Sequence, residues 1–306
     1  MTVEREELET VIYEKDGAIA RVILNRPEKA NTQSSQLVWD FDNALRRAER
    51  DYDVKVVIIK ANGNGFCAGH VMSGDPGTYP ETEEAIERLG SVWRARYQLF
   101  VWPVLYLWEF PKPTIAQVHG YALGGGSYWA LLTDITICSE DAWFQMPLVQ
   151  GLGFPGGQTM IEPWVFMNYK RAAEYLLTSQ KLTAAEALEM GLVNRVVPRD
   201  QLETTVEELA AVIARPPLTT LMTAKMGLRR AWEMMGMRLH LQQSADLMTV
   251  ASSAGDVQGF LDPVYQRRMR GQTTDPEGTE RPRYPTQRAD DADSRNAARD
   301  GRTVTD

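Results

Sequence analysis

The sequence predicts a mixed α/β fold in which short strands alternate with amphipathic helices. Apolar runs rich in Val and Ile, such as Val54–Lys60, are short enough to be buried strands. Thr32–Arg50 instead places its apolar residues at helical spacing, and glycine-rich turns separate strand-like from helix-like segments. With 306 residues and 43% hydrophobic content, the chain can bury one sizeable core.

The N-terminal part predicts a hairpin followed by a helix and a strand. Val11–Tyr13 and Ala18–Leu24 flank Asp16–Gly17, a dipeptide typical of tight hairpin turns. The helix over Thr32–Arg50 carries five apolar residues on one side: Leu37, Phe41, Ala44, Leu45 and Ala48. Val54–Lys60 completes a strand–strand–helix–strand unit, and further strands are expected at Thr114–Val118, Asp134–Ser139 and Val193–Val197.

Helical patterns dominate the rest of the chain. Glu81–Trp102 is a predicted helix that Pro103 should kink or end. Leu218–Arg270 is helical in pattern, with breaks expected at two glycines, Gly236 and Gly255. Residues 271–306 are too polar to bury much surface, so we expect a flexible tail there.

Composition and charge exclude several classes of function. A net charge of −8 argues against nucleic-acid binding, which needs clustered Lys and Arg. Cys67 and Cys138 cannot form a disulfide framework, and with three histidines they offer no metal spacing. The first ten residues are charged rather than apolar, and the apolar run Leu99–Phe110 is too short to span a bilayer. We therefore expect a soluble, cytoplasmic protein without a metal or a membrane partner.

The segment Gln117–Gly126, QVHGYALGGG, predicts a binding site for an oxyanion. Pro113–His119 is a buried strand, and three glycines then open the apolar, helix-like run Ser127–Leu132. The first N–H groups of a helix have no partner within it, and glycine lets another molecule approach the backbone. The alternative is a plain tight turn between a strand and a helix.

A second glycine-rich loop, Gly63–His70, follows the strand at Val54–Lys60 and also exposes backbone donors. Together with Asn25–Asn31 (NRPEKAN) and Leu182–Pro198, these loops resemble segments of the crotonase (enoyl-CoA hydratase/isomerase) superfamily in the same order. The resemblance covers about residues 10–268. It implies a spiral of ββα units, the ClpP/crotonase fold, with a C-terminal helical region. The implied divisions are a core at 1–200, a helical trimerisation region at 201–270 and a flexible tail at 271–306.

The resemblance also implies a ligand and its contacts. A CoA thioester would place its carbonyl between the backbone N–H groups of His70 and Gly125, which would stabilise its enolate. Coenzyme A would arrive as part of the substrate, with no permanently bound cofactor, and a homotrimer or dimer of trimers is implied. The residues expected to contact it are Lys29, Ala30, Ala68, Gly69, His70 and Arg267, with Arg268 as the alternative to Arg267.

The acid–base residues of the family's hydratases are replaced in this chain. The two glutamate positions are occupied by Tyr128 and Leu148, and neither side chain can act as a carboxylate. Glu162 lies among apolar neighbours and is our candidate acid–base group, with Tyr128 as a hydrogen-bond donor. The alternatives are a surface or helix-start glutamate, a tyrosine packed as part of the core, and for His70 a neutral ring that only lines the pocket.

These features predict an enoyl-CoA hydratase/isomerase-type lyase with nonstandard acid–base residues. Several tryptophans between the first loop and Trp164 suggest a fatty or bulky acyl group. One alternative is a non-catalytic acyl-CoA binder. Others are an acyl-CoA decarboxylase, which the loop Ala68–His70 resembles although Gly156 stands where a tyrosine is expected, and a hydrolase, although Ser127 lacks a G-x-S-x-G frame.

Overall fold

The computed structural model describes residues 3–71 and 97–260 of the chain. Contacts group Met1–Asp262 into one unit, and the second unit, Pro263–Asp306, lies outside the described residues. The predicted tail at 271–306 and most of the predicted helix Glu81–Trp102 also lie outside them. The predicted divisions after residues 200 and 270 therefore stay predictions.

The core is a seven-stranded mixed sheet in the order β1-β2-β3-β4-β5-β7-β10. The first three strands are antiparallel and the others run parallel to β3. Its strands are β1 (Glu4–Glu7), β2 (Val11–Asp16), β3 (Ile19–Leu24), β4 (Val56–Ala61), β5 (Thr114–Val118), β7 (Ile135–Ser139) and β10 (Arg195–Val197). The predicted hairpin and parallel strands are confirmed to within a few residues, whereas β1 was not predicted.

A second, three-stranded sheet has the order β6-β8-β9 and was also not predicted. Its strands are β6 (Tyr121–Leu123), β8 (Trp143–Gln145) and β9 (Leu182–Thr183). They are only two or three residues long. Such short strands are held by tertiary contacts rather than by their own sequence pattern, so periodicity does not reveal them.

Helix α1 (Ser35–Arg50) covers one face of the large sheet with the five predicted apolar residues, all of them buried. It begins three residues later than predicted, because the Ser34 side chain caps it by accepting a hydrogen bond from the Leu37 N–H. The other helices are α2 (Trp102–Glu109), α3 (Gly125–Leu131), α4 (Leu148–Leu152), α5 (Glu162–Phe166), α6 (Tyr169–Thr178), α7 (Ala184–Glu189), α8 (Leu202–Ile213), α9 (Leu218–Met234) and α10 (Met237–Ala251).

The helical signals near proline and glycine can be compared with the structure. A π-helical turn, Tyr97–Val101, ends just before Pro103, and α2 begins with this proline in its first turn, where proline is tolerated. The helical winding therefore changes next to Pro103, and the rest of the helix predicted before it lies outside the described residues. The predicted break at Gly236 is confirmed: this residue separates α9 from α10 with a φ of 95°. The chain also leaves the helix at residues 252–254, just before Gly255.

Candidate functional site

The loop Gly63–His70 meets the start of α3 through backbone contacts. The Leu123 N–H donates to the Cys67 carbonyl at 2.9 Å, which forms a bridge between the loop and β6. A Cβ on Gly69 would lie 2.7 Å from the Leu123 carbonyl oxygen, and one on Gly126 would lie 2.4 Å from the Cys67 carbonyl oxygen. Glycine is therefore required at both positions for the two loops to approach.

Gly125, the predicted second donor, is the first residue of α3. The preceding Gly124 has a φ of 51° and donates its N–H to the Gln145 carbonyl at 2.9 Å. The N–H groups of a helix's first turn have no partner within the helix, so the Gly125 N–H is available to a ligand. The geometry is thus compatible with the predicted pair of backbone donors at His70 and Gly125, whose role stays a prediction.

The segment predicted to receive CoA lies directly beside the first loop. The Ala68 N–H donates to the Ala30 carbonyl at 3.1 Å. The Asn31 side chain accepts a hydrogen bond from the Arg26 N–H and donates to the carbonyls of Asn62 and Gly65. The structure therefore brings five of the predicted contact residues into one region: Lys29, Ala30, Ala68, Gly69 and His70. The Lys29 side chain is exposed there. Arg267 lies outside the described residues.

His70 is partly buried, and its ring packs against neighbouring residues. It packs on Phe100 with ring centroids 4.1 Å apart, and the Leu99 backbone forms a hydrogen bond with it. Burial lowers the pKa of His70 from 6.5 to about 4. The imidazole is therefore neutral near pH 7.

The acid–base candidates, Tyr128 and Glu162, form a buried pair. The Tyr128 hydroxyl donates to the Glu162 carboxylate, with its Oη 3.0 Å from each carboxylate oxygen. Both side chains are buried, and Glu162 is the first residue of α5 with only 1% of its surface exposed. The alternative of a surface glutamate is therefore wrong, whereas the alternative of a glutamate at a helix start agrees with the structure. Tyr128 packs in the core, as its alternative held, and in addition donates a hydrogen bond.

Burial raises the pKa of Glu162 from 4.5 to about 7, because a buried carboxylate loses its hydration. Burial and the adjacent carboxylate raise the pKa of Tyr128 well above its usual value, so its hydroxyl remains a donor. A carboxyl group that titrates near neutrality can exchange protons with a ligand in either direction. The segment 155–157 forms a bend outside any helix, and α5 begins at Glu162.

Sequence reasoning missed residues that complete this region. A Cβ on Gly157 would lie 2.2 Å from the Tyr128 Oη, so this glycine makes room for the tyrosine. Tyr175 is buried near the same carboxylate, and its burial, followed by the charge of Glu162, raises the pKa of Tyr175. Gln33 is buried beside His70 and Gly125. No motif marks these residues. Leu148, at the other replaced glutamate position, begins α4 and packs against the core.

The tryptophans of the described residues are spread over several places rather than gathered at this site, and Trp93 lies outside the described residues. Trp129 stacks on Phe41 with ring centroids 4.0 Å apart, and Trp102 is exposed. Trp108 and Trp164 line a separate cavity of about 500 Å³ beside α9, which none of the predicted site residues lines. Within 3–71 and 97–260 there is no cluster of three metal-ligating side chains and no helix that could span a membrane.

Comparison with known proteins identifies the family. Residues 14–262 match the family model described as enoyl-CoA hydratase/isomerase. The chain belongs to the enoyl-CoA hydratase/isomerase family. A probable enoyl-CoA hydratase from Mycobacterium smegmatis has a solved structure with a TM-score of 0.73 and 33% identity, covering 83% of this chain and 98% of that one. The crotonase-like fold implied by the motifs is therefore confirmed.

Relatives within the enoyl-CoA hydratase/isomerase family carry names that refer to CoA thioesters. Hydroxycinnamoyl-CoA hydratase-lyase from Pseudomonas fluorescens is 32% identical over 266 residues, which are 83% of this chain and 92% of that protein. Putative enoyl-CoA hydratase EchA13 from Mycobacterium tuberculosis is 32% identical over 244 residues, which are 75% of this chain and 76% of that protein.

Proposed function

We propose that this protein is an enzyme that forms the enolate of an acyl-CoA thioester, using Glu162 as its acid–base group. The observation that carries the proposal is the buried contact between Glu162 and Tyr128, in which the hydroxyl lies 3.0 Å from both carboxylate oxygens. Tyr128 lies on α3, the helix that begins at Gly125. The acid–base pair and the expected oxyanion donor are therefore linked by one helical turn.

The proposed step begins with the thioester carbonyl between the His70 and Gly125 N–H groups. The Glu162 carboxylate removes a proton from the α-carbon, and the C–H electron pair moves towards the carbonyl, whose oxygen becomes the enolate oxygen. Two preorganised N–H groups stabilise that charge, while Tyr128 donates to the carboxylate. Returning the proton to the α-carbon gives exchange, and returning it to the γ-carbon of a β,γ-unsaturated acyl group gives isomerisation. Hydration would reach the same enolate by addition of water to the β-carbon of an α,β-unsaturated acyl group, with the water proton going to Glu162 and then to the α-carbon.

Lys29, Ala30, Ala68 and Gly69 would hold the CoA portion, which enters and leaves with the substrate. The segments at Ala30 and Ala68 are joined by a backbone hydrogen bond, which supports one continuous surface for it. The preference for a fatty or bulky acyl group remains part of the proposal, and equal affinity for short and long acyl-CoA would contradict it. Exposed apolar residues on α9 and α10 support a homotrimer or dimer of trimers: Leu228, Met234, Leu239, Leu247 and Val250.

The experiment is mass spectrometry of saturated, enoyl, hydroxyacyl and malonyl-type CoA thioesters after incubation in heavy water. We expect protein-dependent deuterium at the α-carbon or gain of water. Glu162→Gln should lower the rate by about 100- to 10,000-fold, the range typical for a general acid–base group. The matched control is Glu174→Gln, because Glu174 is an exposed glutamate on α6.

A non-catalytic acyl-CoA binder is the second candidate. It is favoured by the enclosure of Glu162, whose side chain is almost fully buried and bonded to Tyr128. Thioesters that bind but return unchanged would establish this function. Loss of carbon dioxide or release of free CoA would instead identify a decarboxylase or a hydrolase.

A further inference from the structure

The side chain of Gln33 is a buried amide without a hydrogen-bond partner. It is 2% exposed, and neither its Oε1 nor its Nε2 atom is paired. Buried polar groups in folded proteins are almost always hydrogen-bonded, because an unpaired one has lost its hydration without compensation. An amide kept in this state suits a site where a ligand supplies the missing partner.

The backbone holds Gln33 at the junction of the two loops. Its N–H donates to the Gly69 carbonyl at 2.8 Å, and its carbonyl accepts from the Val71 N–H at 3.2 Å. Gln33 and His70 thus pair as residues of neighbouring parallel strands do. This pairing holds the Gln33 backbone, and with it the Cα from which the side chain extends, in a defined position.

The side chain points to the proposed thioester site. A Cβ on Gly125 would lie 2.1 Å from the Gln33 Oε1 and 2.5 Å from the His70 Nδ1 and Cε1. Both side chains therefore lie close to the Cα of Gly125, whose N–H is the proposed oxyanion donor. Phe100 packs against the His70 ring and limits the space around it.

The two side chains form a neutral polar surface. A glutamine amide has no charge, and burial keeps the His70 ring neutral near pH 7. A hydroxyl or keto oxygen can exchange hydrogen bonds with the amide. A hydrocarbon group would leave the amide unpaired, and a carboxylate would be buried without an opposite charge on either side chain.

We propose that Gln33 is a specificity-determining residue whose amide hydrogen-bonds a hydroxyl or keto oxygen on the acyl chain next to the thioester. The protein then selects acyl-CoA thioesters with this neutral polar group over hydrocarbon thioesters of equal length. This selectivity rests on the proposed function, which places the thioester between His70 and Gly125. It adds a requirement on the acyl group that the backbone donors do not impose.

The test is the equilibrium affinity of the full-length protein for butyryl-CoA, 3-hydroxybutyryl-CoA and acetoacetyl-CoA, with recovered thioesters checked by mass spectrometry. The wild type should bind the two oxygenated thioesters about tenfold more tightly, the contribution of one hydrogen bond. Gln33→Met should remove this preference and bring the three affinities within about threefold of one another. Gln201→Met, the same change at an exposed residue, should keep the wild-type preference.

Three results would overturn the proposed selectivity. The first is a wild-type protein that binds all three thioesters equally well. The second is a Gln33→Met protein that still prefers the two oxygenated thioesters. An equal loss for all three thioesters would place the amide on the thioester oxygen itself. Deuterium exchange by the wild type is a separate measurement, so the selectivity and the proposed enolate chemistry can fail independently.

Discussion

The two sides of the candidate site are built by different means. On one side, the loop Gly63–His70 and the start of α3 present backbone N–H groups, and glycines let the chains approach. On the other side, Tyr128 and Glu162 meet as side chains that are 34 residues apart in sequence. On the backbone side, an added Cβ at Gly69, Gly125 or Gly126 would clash with neighbouring atoms. The contact between Tyr128 and Glu162 instead depends on burial and on one hydrogen bond. Substitutions should therefore affect the two sides in different ways.

On the backbone side, the largest effect is expected from Gly125→Ala. The new Cβ would lie 2.1 Å from the Gln33 Oε1 and 2.5 Å from the His70 ring, so the loops must move apart. Displacing one preorganised donor lowers an enolate-forming rate by roughly 100- to 1,000-fold. Deuterium exchange into a saturated acyl-CoA measures this loss. An unchanged exchange rate in a folded protein would remove Gly125 from the proposed donors.

The buried contact between Tyr128 and Glu162 should make the unfolding free energy depend on pH. The Glu162 pKa is about 7 in the folded chain, above its ordinary 4.5, so protonation favours the folded state. This stabilisation is fully present below about pH 4.5 and is lost as the pH rises through 7. The difference in unfolding free energy between the wild type and Glu162→Gln should therefore change by up to about 3 kcal/mol between pH 4.5 and 8.

Denaturant unfolding across this pH range measures that difference. All other titrating groups, including His70, are common to both proteins and cancel in the comparison. A difference that does not vary with pH would mean that Glu162 titrates as an ordinary glutamate, and the acid–base proposal would lose its physical basis.

Tyr128→Phe should have a smaller effect of a distinctive kind. The tyrosine hydroxyl lowers the pKa of Glu162, so its removal should shift the pH midpoint of deuterium exchange upward. The unfolding free energy at pH 8 should fall by about 1.5–3 kcal/mol, as for loss of a hydrogen bond to a charged group. Tyr13→Phe is the matched control, because the Tyr13 hydroxyl is buried without a partner. Identical pH profiles for the Tyr128→Phe protein and the wild type would contradict the coupling.

The smallest effect is expected from Gly227→Ala, the control for the backbone side. Gly227 lies inside α9, and a Cβ there would meet nothing within 4 Å. Alanine favours a helix interior by up to about 1 kcal/mol over glycine, so thermal unfolding should show equal or higher stability with unchanged exchange. A loss of exchange comparable to that of Gly125→Ala would show that glycine replacement acts on the whole fold.

The sequence by itself determined the family, most of the parallel strands and the two glycine-rich loops, because periodicity and glycine spacing are local properties of the chain. It also singled out Tyr128 and Glu162 without joining them. Only the tertiary structure decided that Glu162 is buried against Tyr128, that Gly157 makes room for this tyrosine, and that the Gln33 amide lies unpaired beside Gly125. Burial and hydrogen bonding depend on segments that are far apart in sequence. These long-range contacts set the pKa values of the site's side chains and decide which polar groups remain unpaired and can bind a ligand.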